Sequence, residues 1–279
     1  MRVLVTGARG FVGGHVVEAL RRAGQDVVGV GRAEGDLAEA GVAEDLLDAH
    51  KPDAVVHLAA LVGWVAGEHD PLETIRQNTG VTAVVARACA AAGIRLAHGS
   101  TTEVYAARSI YALSKRWSED AAVYFCPEAT LLRFAWPYGP GVSPGQGRGA
   151  IVNMLDQAVR RERIVVHRGP ERSWCWIGDA ARAVVLLLER RARGAWDIGR
   201  DDQPVSMLEL ARLCCRLTGA SEDLIQEIGP PAQQGASRPL ATEQLLAAGW
   251  RPEVDLETGL RDTLVWLRSA GPSLASRPA

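Results

Sequence analysis

A tyrosine and a lysine four residues apart, in the segment Tyr111-Ala112-Leu113-Ser114-Lys115, are well suited to proton transfer. On an α-helix, residues i and i+4 project from the same face, so the phenol and the ammonium would be neighbours. A phenol ordinarily titrates near pH 10, and a nearby positive charge lowers its pKa by favouring the phenolate. The pair is typical of a tyrosine that acts as an acid or base near neutrality, although this spacing also occurs on helices without chemistry.

Hydroxyl side chains follow the apolar run Arg95–Gly99, in the segment Ser100-Thr101-Thr102-Glu103. If the run is a strand of a parallel sheet, these side chains lie at its carboxyl end, where ligands bind in open α/β folds. A hydroxyl at that edge can polarise a carbonyl or alkoxide oxygen beside the phenol. The two segments together predict acid–base chemistry on a carbonyl or an alcohol.

Three glycines at intervals of three, Gly7, Gly10 and Gly13, join the apolar run Arg2–Thr6 to a helical pattern over residues 11–23. The first glycine allows a tight turn, the second lets the backbone approach a pyrophosphate, and the third lets the helix pack on the sheet. The amide groups at the start of the helix would face the phosphates. Glycines also mark ordinary turns, but a strand before them and a helix after them favour a dinucleotide site.

These residues must be positioned by a sheet and helices, and the rest of the chain supplies the pattern. Short apolar runs alternate with helical periodicity, which predicts a Rossmann-type α/β fold with a doubly wound parallel sheet. Residues 1–136 and about 176–200 would form the dinucleotide-binding domain. Residues 137–175 and 201–270 would form a smaller α/β substrate lobe, and 271–279 a frayed tail. The further predicted strands are Val27–Val30, Ala54–His57 and Thr130–Phe134, and the predicted helices lie near 37–49, 72–92 and 111–125.

Composition narrows the class of protein further. The chain has 279 residues, a hydrophobic content of 47% and a formal net charge of −2. We therefore expect neither nucleic acid nor a membrane as partner. Its five cysteines lack the spacing of metal ligands, and Met1 leads directly into the first predicted strand, so we expect a cytoplasmic protein without a metal site.

Together the motifs resemble one known family, the extended short-chain dehydrogenase/reductases of the epimerase/dehydratase type, which modify nucleotide sugars. The resemblance covers nearly the whole chain. Its motifs are the TGxxGFxG opening at Thr6–Gly13, His57-Leu58-Ala59-Ala60, Asn78-Thr79-Gly80, Ser100–Tyr105, Tyr111 with Lys115, Leu132-Arg133, Tyr138-Gly139-Pro140, Arg172 before Trp176–Asp179, Asp197-Ile198-Gly199 and Gly249–Pro252.

The resemblance implies roles for individual residues. Thr101 would be the active-site hydroxyl and Tyr111 the acid or base, while Lys115 would hold the nicotinamide ribose and tune Tyr111. The implied cofactor contacts, in addition to Tyr111 and Lys115, are Gly7, Gly10, Phe11, Val12, Asp36, Leu37, Leu58, Ala59, Ala60 and Asn78, with Asp36 and Leu37 beside the adenine. The family implies no metal.

On the substrate side, the candidates are Thr102, Glu103, Trp136, Arg172 and Arg238. The two arginines match family positions that grip a nucleotide diphosphate, a role that suits a guanidinium because it donates in a fixed fork and stays charged. A solvated surface position is the alternative for either arginine.

Cofactor choice depends on the end of the second strand, where an acidic residue usually binds the ribose 2′-hydroxyl of NAD. Here Val30 is followed by Gly31 and Arg32, so no carboxylate stands at that position. Arg32, together with Arg9, could pair with a 2′-phosphate. The sequence therefore predicts NADP(H), with NAD(H) as the alternative if Arg32 points to solvent.

Three departures from the family pattern limit this comparison. Only ten positions separate Thr101 from Tyr111, which predicts a more open site or an unusual substrate. Trp136 replaces an asparagine that the family often has near the substrate. Thr102 stands where sugar 4,6-dehydratases carry an acidic proton donor, so dehydration is the least favoured reaction.

We therefore expect an NAD(P)-dependent oxidoreductase that acts on a nucleotide-activated sugar, in first place a 4-ketoreductase of a nucleoside diphosphate 4-keto-6-deoxyhexose. An NAD-dependent 4-epimerase would use the same residues and is the alternative. A non-catalytic cofactor-sensing or scaffold protein is a third possibility, which the intact Thr101, Tyr111 and Lys115 disfavour. The family also implies a homodimer, built from the helices near 72–92 and 111–125.

Overall fold

The computed structural model describes residues 1–145, 149–230 and 240–270, and the chain divides into two compact units. The first unit contains Met1–Ala135, Ala180–Ile198 and Ala241–Trp250, and the remaining described residues form the second. The expected lobe boundaries placed 241–250 in the second lobe, whereas these residues lie in the first unit. There the backbone N–H of Ala241 donates to the carboxylate of Asp197 at 3.0 Å. The tail expected at 271–279 lies outside the described residues.

Strands and helices alternate along much of the chain. The strands are β1 (Arg2–Thr6), β2 (Asp26–Val30), β3 (Ala54–His57), β4 (Arg95–Thr101), β5 (Thr130–Phe134), β6 (Pro137–Tyr138), β7 (Ile164–His167), β8 (Arg172–Ser173), β9 (Cys175–Trp176), β10 (Gly194–Ile198), β11 (Pro204–Val205) and β12 (Ile225–Ile228). The helices are α1 (Phe11–Arg22), α2 (Val42–His50), α3 (Trp64–His69), α4 (Pro71–Ile75), α5 (Val81–Ala92), α6 (Ile110–Phe125), α7 (Ala150–Arg160), α8 (Ile177–Glu189), α9 (Met207–Thr218), α10 (Thr242–Ala247) and α11 (Leu256–Ala270).

A parallel sheet of six described strands forms the centre of the first unit, in the order β10-β5-β4-β3-β1-β2. Its middle strands are buried along nearly their whole length because they are apolar runs covered by helices on both faces. From β1 the chain first runs outward to β2 and then returns to the other side of β1 for β3. This reversal creates a crevice at the carboxyl ends of β1 and β3, the usual ligand site of doubly wound sheets, and the predicted fold class is confirmed.

The helices of the first unit differ from the expected ones in two places. The helix expected at 37–49 begins only at Val42, because Gly41 directly before it has a left-handed φ of 89°. Residues 32–34 form a short 3₁₀ turn, which ends at Gly35 with a φ of 141°. The helix expected at 72–92 consists of α4, a π-helical turn at Arg76–Gly80 and α5. π-Helical turns inside helices often occur at functional sites, and this one contains Asn78.

The second unit has its own apolar core, in which α7, α9 and α11 pack together with β7. Short two-stranded pairings complete its described part: β7 with β12, β6 with β9, and β8 with β11. Among the described residues of both units, no helix is long and apolar enough to cross a membrane.

Candidate active site

The glycine turn after β1 fits closely against the segment that follows β3. Gly7 has a φ of 67°, and a Cβ there would lie 2.7 Å from the backbone nitrogen of Ala59. A Cβ on Gly13 would lie 2.0 Å from the carbonyl oxygen of Gly7, whereas one on Gly10 would meet only that oxygen, at 3.2 Å. Gly10 is therefore less crowded than Gly7 and Gly13, which leaves space for a ligand next to its backbone.

The amino end of α1 suits an anion. Gly10 occupies the N-cap position without a side-chain cap, and the first turn contains no acidic residue. Phe11 and Val12 begin the helix half-buried, and their amides belong to the N-terminal turn. Helix N-termini of this kind bind phosphate, so the residues present fit the pyrophosphate of a dinucleotide.

The end of β2 carries a carboxylate that the sequence did not lead us to expect. The 3₁₀ turn brings Glu34 back toward Gly31, whose N–H donates to Glu34 Oε2 at 2.6 Å. Arg9 Nη2 donates to the other oxygen, Oε1, at 2.5 Å. Arg32 is exposed, and its charge contributes to lowering the pKa of Glu73 to about 2, after the hydrogen bonds from Arg76 and Gln77. The premise for NADP(H), a missing carboxylate at this position, therefore does not hold in the folded chain.

Two residues expected beside the adenine lie just after this turn. Asp36 is exposed, and its Oδ1 accepts a hydrogen bond from the N–H of Ala38 at 2.9 Å. Leu37 is half-buried and packs against the apolar core of the first unit. An exposed polar residue followed by an anchored apolar one can line an adenine site, and this role stays a prediction.

Thr101 and Tyr111 are both nearly buried, each with 8% of its surface exposed. The Oγ1 of Thr101 accepts a hydrogen bond from the N–H of Glu103 at 3.2 Å. A hydroxyl group can in addition donate one hydrogen bond. Ser109 caps α6 by accepting from the N–H of Ala112 at 3.1 Å. A Cβ on Gly67 would lie 3.1 Å from the nitrogen of Tyr111, so α3 packs closely against the start of α6.

The connection from Thr101 to Tyr111 is short and tightly turned. Thr102 is half-buried at the start of a 3₁₀ turn, and Glu103 is exposed. Ala107 adopts a φ of 48°, a left-handed conformation that is unusual for alanine. Strained backbone of this type is common near functional sites.

Lys115 is buried one turn after Tyr111 and faces a pair of histidines. Its Nζ lies 3.4 Å from Nε2 of His98, whose ring stacks on that of His57 with centroids 5.6 Å apart. Burial lowers the pKa of Lys115 to about 8, while the charge of Glu119 acts in the opposite direction. Burial, and to a smaller extent the positive charge of Lys115, lowers the pKa of His57 to about 3. With a pKa of about 8, Lys115 is still a cation at neutral pH. The pKa of His98 is also lowered, by burial first and then by the charge of Lys115, so both imidazole rings beside the ammonium are neutral.

The protonation of His57 follows from its neighbour on β1. Thr6 Oγ1 accepts from the N–H groups of Leu58 and Ala59, each at 3.2 Å. Its hydroxyl hydrogen is then directed to Nδ1 of His57 at 2.7 Å, so the proton of His57 is on Nε2. This arrangement anchors the segment after β3, as ordinary polar packing would, and no cluster of metal-ligating side chains occurs among the described residues.

Asn78 joins the segment after β3 to α6. Its Oδ1 accepts from the N–H of Leu61 at 2.8 Å, and its Nδ2 donates to the Leu61 carbonyl and to Ser114 Oγ, both at 2.9 Å. The side chain is fully buried. Asn78 therefore holds the backbone near Ala59 and Ala60 in place, and direct contact with a cofactor stays a prediction.

A buried charged network behind α6 was not predicted. Arg133 on β5 donates to both carboxylate oxygens of Glu119, at 2.8 and 2.5 Å, and to the hydroxyl of Tyr105 at 3.0 Å. Ser100 also donates to Glu119, and Tyr105 donates to Asp197, at 2.5 and 2.6 Å. A signal was present in the sequence, since Glu119 lies four residues after Lys115 on the same helical face and Arg133 interrupts an apolar strand.

The second unit contains two of the predicted substrate residues. The guanidinium of Arg172 lies 4.3 Å from the centroid of the Trp136 ring, and Trp174 contacts the same ring edge-on. Trp136 has a φ of 47°, a strained conformation for a bulky side chain. Arg172 also borders a cleft of about 370 Å³, whose polar lining includes Asn153, Gln157, His167 and Arg168. Arg238 lies outside the described residues.

The sheet order, the glycine turn and the Tyr111–Lys115 pair define a Rossmann-type enzyme of the short-chain dehydrogenase/reductase class. The sequence profile of the NAD dependent epimerase/dehydratase family matches residues 3–199. The chain belongs to this family, as the resemblance indicated.

Its relatives act on nucleotide sugars. The chain is 26% identical to dTDP-4-dehydrorhamnose reductase of Mycobacterium tuberculosis over 274 residues, which cover 90% of this chain and 88% of that protein. It is also 26% identical to UDP-glucuronic acid decarboxylase 5 of Arabidopsis thaliana, in an alignment of 301 positions including gaps that covers 93% of this chain and 87% of that protein.

Solved structures agree with this assignment. MoeE5 in complex with UDP-glucose and NAD superposes with a TM-score of 0.86 at 27% identity, covering 97% of this chain and 99% of that one. The UDP-glucose-4-epimerase of Stenotrophomonas maltophila gives a TM-score of 0.88 at 22% identity, covering 98% and 99%, and shows the shared fold. This chain is accordingly an oxidoreductase-type enzyme of a family that modifies nucleotide sugars.

Proposed function

We propose that this enzyme is an NAD(P)-dependent oxidoreductase that reduces the 4-keto group of a nucleoside diphosphate 4-keto-6-deoxyhexose. The observation that carries the proposal is that Tyr111 and Lys115 are both buried on α6, one helical turn apart, in the unit that also contains Thr101 at the carboxyl end of β4. Similarity over nearly the full length to the M. tuberculosis reductase supports reduction as the direction.

The residues divide the work of reducing a ketone. Tyr111 donates its phenolic proton to the carbonyl oxygen, and the Thr101 hydroxyl donates a hydrogen bond to the same oxygen as negative charge develops. Lys115, as an ammonium, stabilises the phenolate that remains. The reduced nicotinamide, when bound, supplies the hydride to the carbonyl carbon. The products are an alcohol and the oxidised cofactor, and the proton lost by Tyr111 is replaced from solvent.

Substrate binding is assigned to the second unit. The cleft beside Arg172 offers amide groups from Asn153 and Gln157 and two guanidinium groups, of which Arg168 also pairs with Glu227 at 3.2 Å. Cationic and amide donors of this kind suit a diphosphate and a nucleobase edge. The stacking of Arg172 on Trp136 holds the guanidinium plane in one orientation.

The test is a turnover assay with purified protein. The enzyme should oxidise NADH or NADPH in proportion to an added nucleoside diphosphate 4-keto-6-deoxyhexose, with the alcohol product identified by mass spectrometry. Tyr111→Phe should lower kcat by a factor of about 10²–10⁴ without abolishing cofactor binding. Failure to oxidise either cofactor across a panel of 4-keto sugar nucleotides would overturn the proposal.

A 4-epimerase is the second candidate, and the Glu34 carboxylate at the end of β2 favours it because it suits NAD. An epimerase recycles its bound cofactor, so it would interconvert two hexose nucleotides with no net change in NAD. A dinucleotide that co-purifies and resists dialysis, together with such interconversion, would assign the enzyme to this reaction.

We also propose that the enzyme forms a homodimer through α4, α5 and α6. These helices pack together in the first unit, and α6 exposes apolar surface at Trp117, Val123 and Tyr124, of which Tyr124 is 80% exposed. Light scattering coupled to size exclusion should give a dimer mass, and Tyr124→Lys should shift it to the monomer. A monomeric mass for the unmodified protein would exclude this arrangement.

A further inference from the structure

The sequence has no acidic residue directly after β2, but the Glu34 carboxylate lies close to where the side chain of such a residue would be. A Cβ built on Gly31 would lie 3.6 Å from Glu34 Oε2 and 3.6 Å from the Cδ of Arg9. A side chain at position 31 would therefore extend toward the place that the Glu34 carboxylate occupies. This place lies at the carboxyl end of β2, where Rossmann folds bind the adenosine ribose.

The carboxylate is held there by its own turn and by the glycine-rich turn after β1. The N–H of Gly31 donates to Oε2, and Arg9 donates to Oε1, so each oxygen already has one partner. The hydrogen bond from Gly31, and to a smaller extent the charge of Arg9, keeps the pKa of Glu34 below its usual range. An ionised carboxylate has about four acceptor sites in total, so it can still accept hydrogen bonds from ribose hydroxyl groups.

The two cations expected to bind a 2′-phosphate are both placed near carboxylates. Arg9 forms an ion pair with Glu34. The charge of Arg32 interacts with Glu73, which is also hydrogen-bonded to Arg76 at 2.7 Å. A 2′-phosphate would have to take Arg9 from Glu34 and leave two anions next to each other. A ribose hydroxyl requires no such exchange, because it donates to the carboxylate while the Arg9 pair remains.

We propose that Glu34 is the residue that determines cofactor specificity, and that its carboxylate, held by the N–H of Gly31, selects NAD(H) over NADP(H). This inference rests on the proposed function only in that the protein binds a dinucleotide. It replaces the NADP(H) preference that Gly31 and Arg32 indicated in the sequence, and it does not depend on which sugar is the substrate.

The test is calorimetric titration of the full-length protein with NADH and with NADPH, for three variants. The unmodified protein should bind NADH at least tenfold more tightly than NADPH. Glu34→Gln keeps the side-chain length but removes the charge and frees Arg9, so this ratio should fall at least tenfold. Arg9→Gln should leave the ratio unchanged or raise it, since it removes the cation that a 2′-phosphate needs.

Glu39→Gln is the matched control, because it removes one negative charge from an exposed residue of the same segment. Its ratio should stay within about twofold of the unmodified protein. Tighter binding of NADPH by the unmodified protein, or an unchanged ratio in Glu34→Gln, would overturn the proposal. Because binding is measured without a sugar, a protein that selects NADH but reduces no 4-keto sugar would refute the proposed function alone.

Discussion

Two neighbouring glycines at the start of α1, Gly13 and Gly14, allow a direct test of the predicted pyrophosphate site at the Gly7 turn. A Cβ on Gly13 would lie 2.0 Å from the carbonyl oxygen of Gly7, whereas a Cβ on Gly14 would lie 3.6 Å from that of Ala8. The first distance is far inside van der Waals contact with backbone that cannot rotate away, and the second is an ordinary contact. Gly13→Ala and Gly14→Ala therefore make the same chemical change with opposite consequences.

The magnitudes follow from general costs of packing and helix formation. Replacing an exposed helical glycine by alanine stabilises by about 1 kcal/mol, so Gly14→Ala should raise the unfolding temperature by about 2–4 °C. Gly13→Ala gains the same helix propensity but must move the Gly7 turn, and overpacking typically costs about 1–3 kcal/mol or more. We expect Gly13→Ala to be destabilised and to bind NADH at least tenfold more weakly.

The assay is thermal unfolding with and without NADH, combined with calorimetric titration at a temperature where both variants are folded. Bound cofactor should raise the unfolding temperature of the unmodified protein and of Gly14→Ala. It should raise the unfolding temperature of Gly13→Ala much less, because this variant binds NADH more weakly. Equal NADH affinity in the two variants would refute the argument that the Gly7 turn and α1 form the pyrophosphate site.

Three further predictions concern α6 and the residues around it. Tyr111→Phe should lower kcat by a factor of about 10²–10⁴, as expected for loss of a general acid, while the NADH dissociation constant measured by calorimetry stays within about twofold. Because burial lowers the pKa of Lys115 to about 8, the folded protein loses this proton before the unfolded chain does. The free energy of unfolding relative to Lys115→Met should therefore rise with pH from about 8 to 10.5, by about 3 kcal/mol in urea titrations; a flat difference would show that Lys115 titrates normally. Asn78→Ala should cost at least about 2 kcal/mol, because it leaves buried groups of Leu61 and Ser114 unsatisfied. Gln77→Ala removes one hydrogen bond, to Glu73, from a half-buried side chain and should cost about 1 kcal/mol or less; similar losses in both would contradict the role given to Asn78.

Local patterns in the sequence were sufficient to predict the sheet and to place Tyr111 and Lys115 on one helix. Apolar runs such as Ala54–His57 have one stable environment, a strand covered on both faces, and their alternation with helices implies a parallel sheet. The spacing of Tyr111 and Lys115 needs only helical geometry to place both side chains on one face. These features depend on neighbours along the chain, so they can be predicted without knowing the tertiary contacts.

The carboxylate at the end of β2 could be located only in the folded structure. Glu34 lies three residues beyond the expected position, and it returns to Gly31 because a 3₁₀ turn precedes Gly35, whose φ of 141° few other residues adopt. The same holds for His98, which meets Lys115 through the packing of β4 against α6. The sequence thus determined the fold, the glycine turn and the placement of Tyr111 and Lys115 on one helix, while tertiary structure decided which charges surround them. The physical reason is that backbone periodicity is local, whereas the position of a charged group depends on turns and on packing between elements distant in sequence.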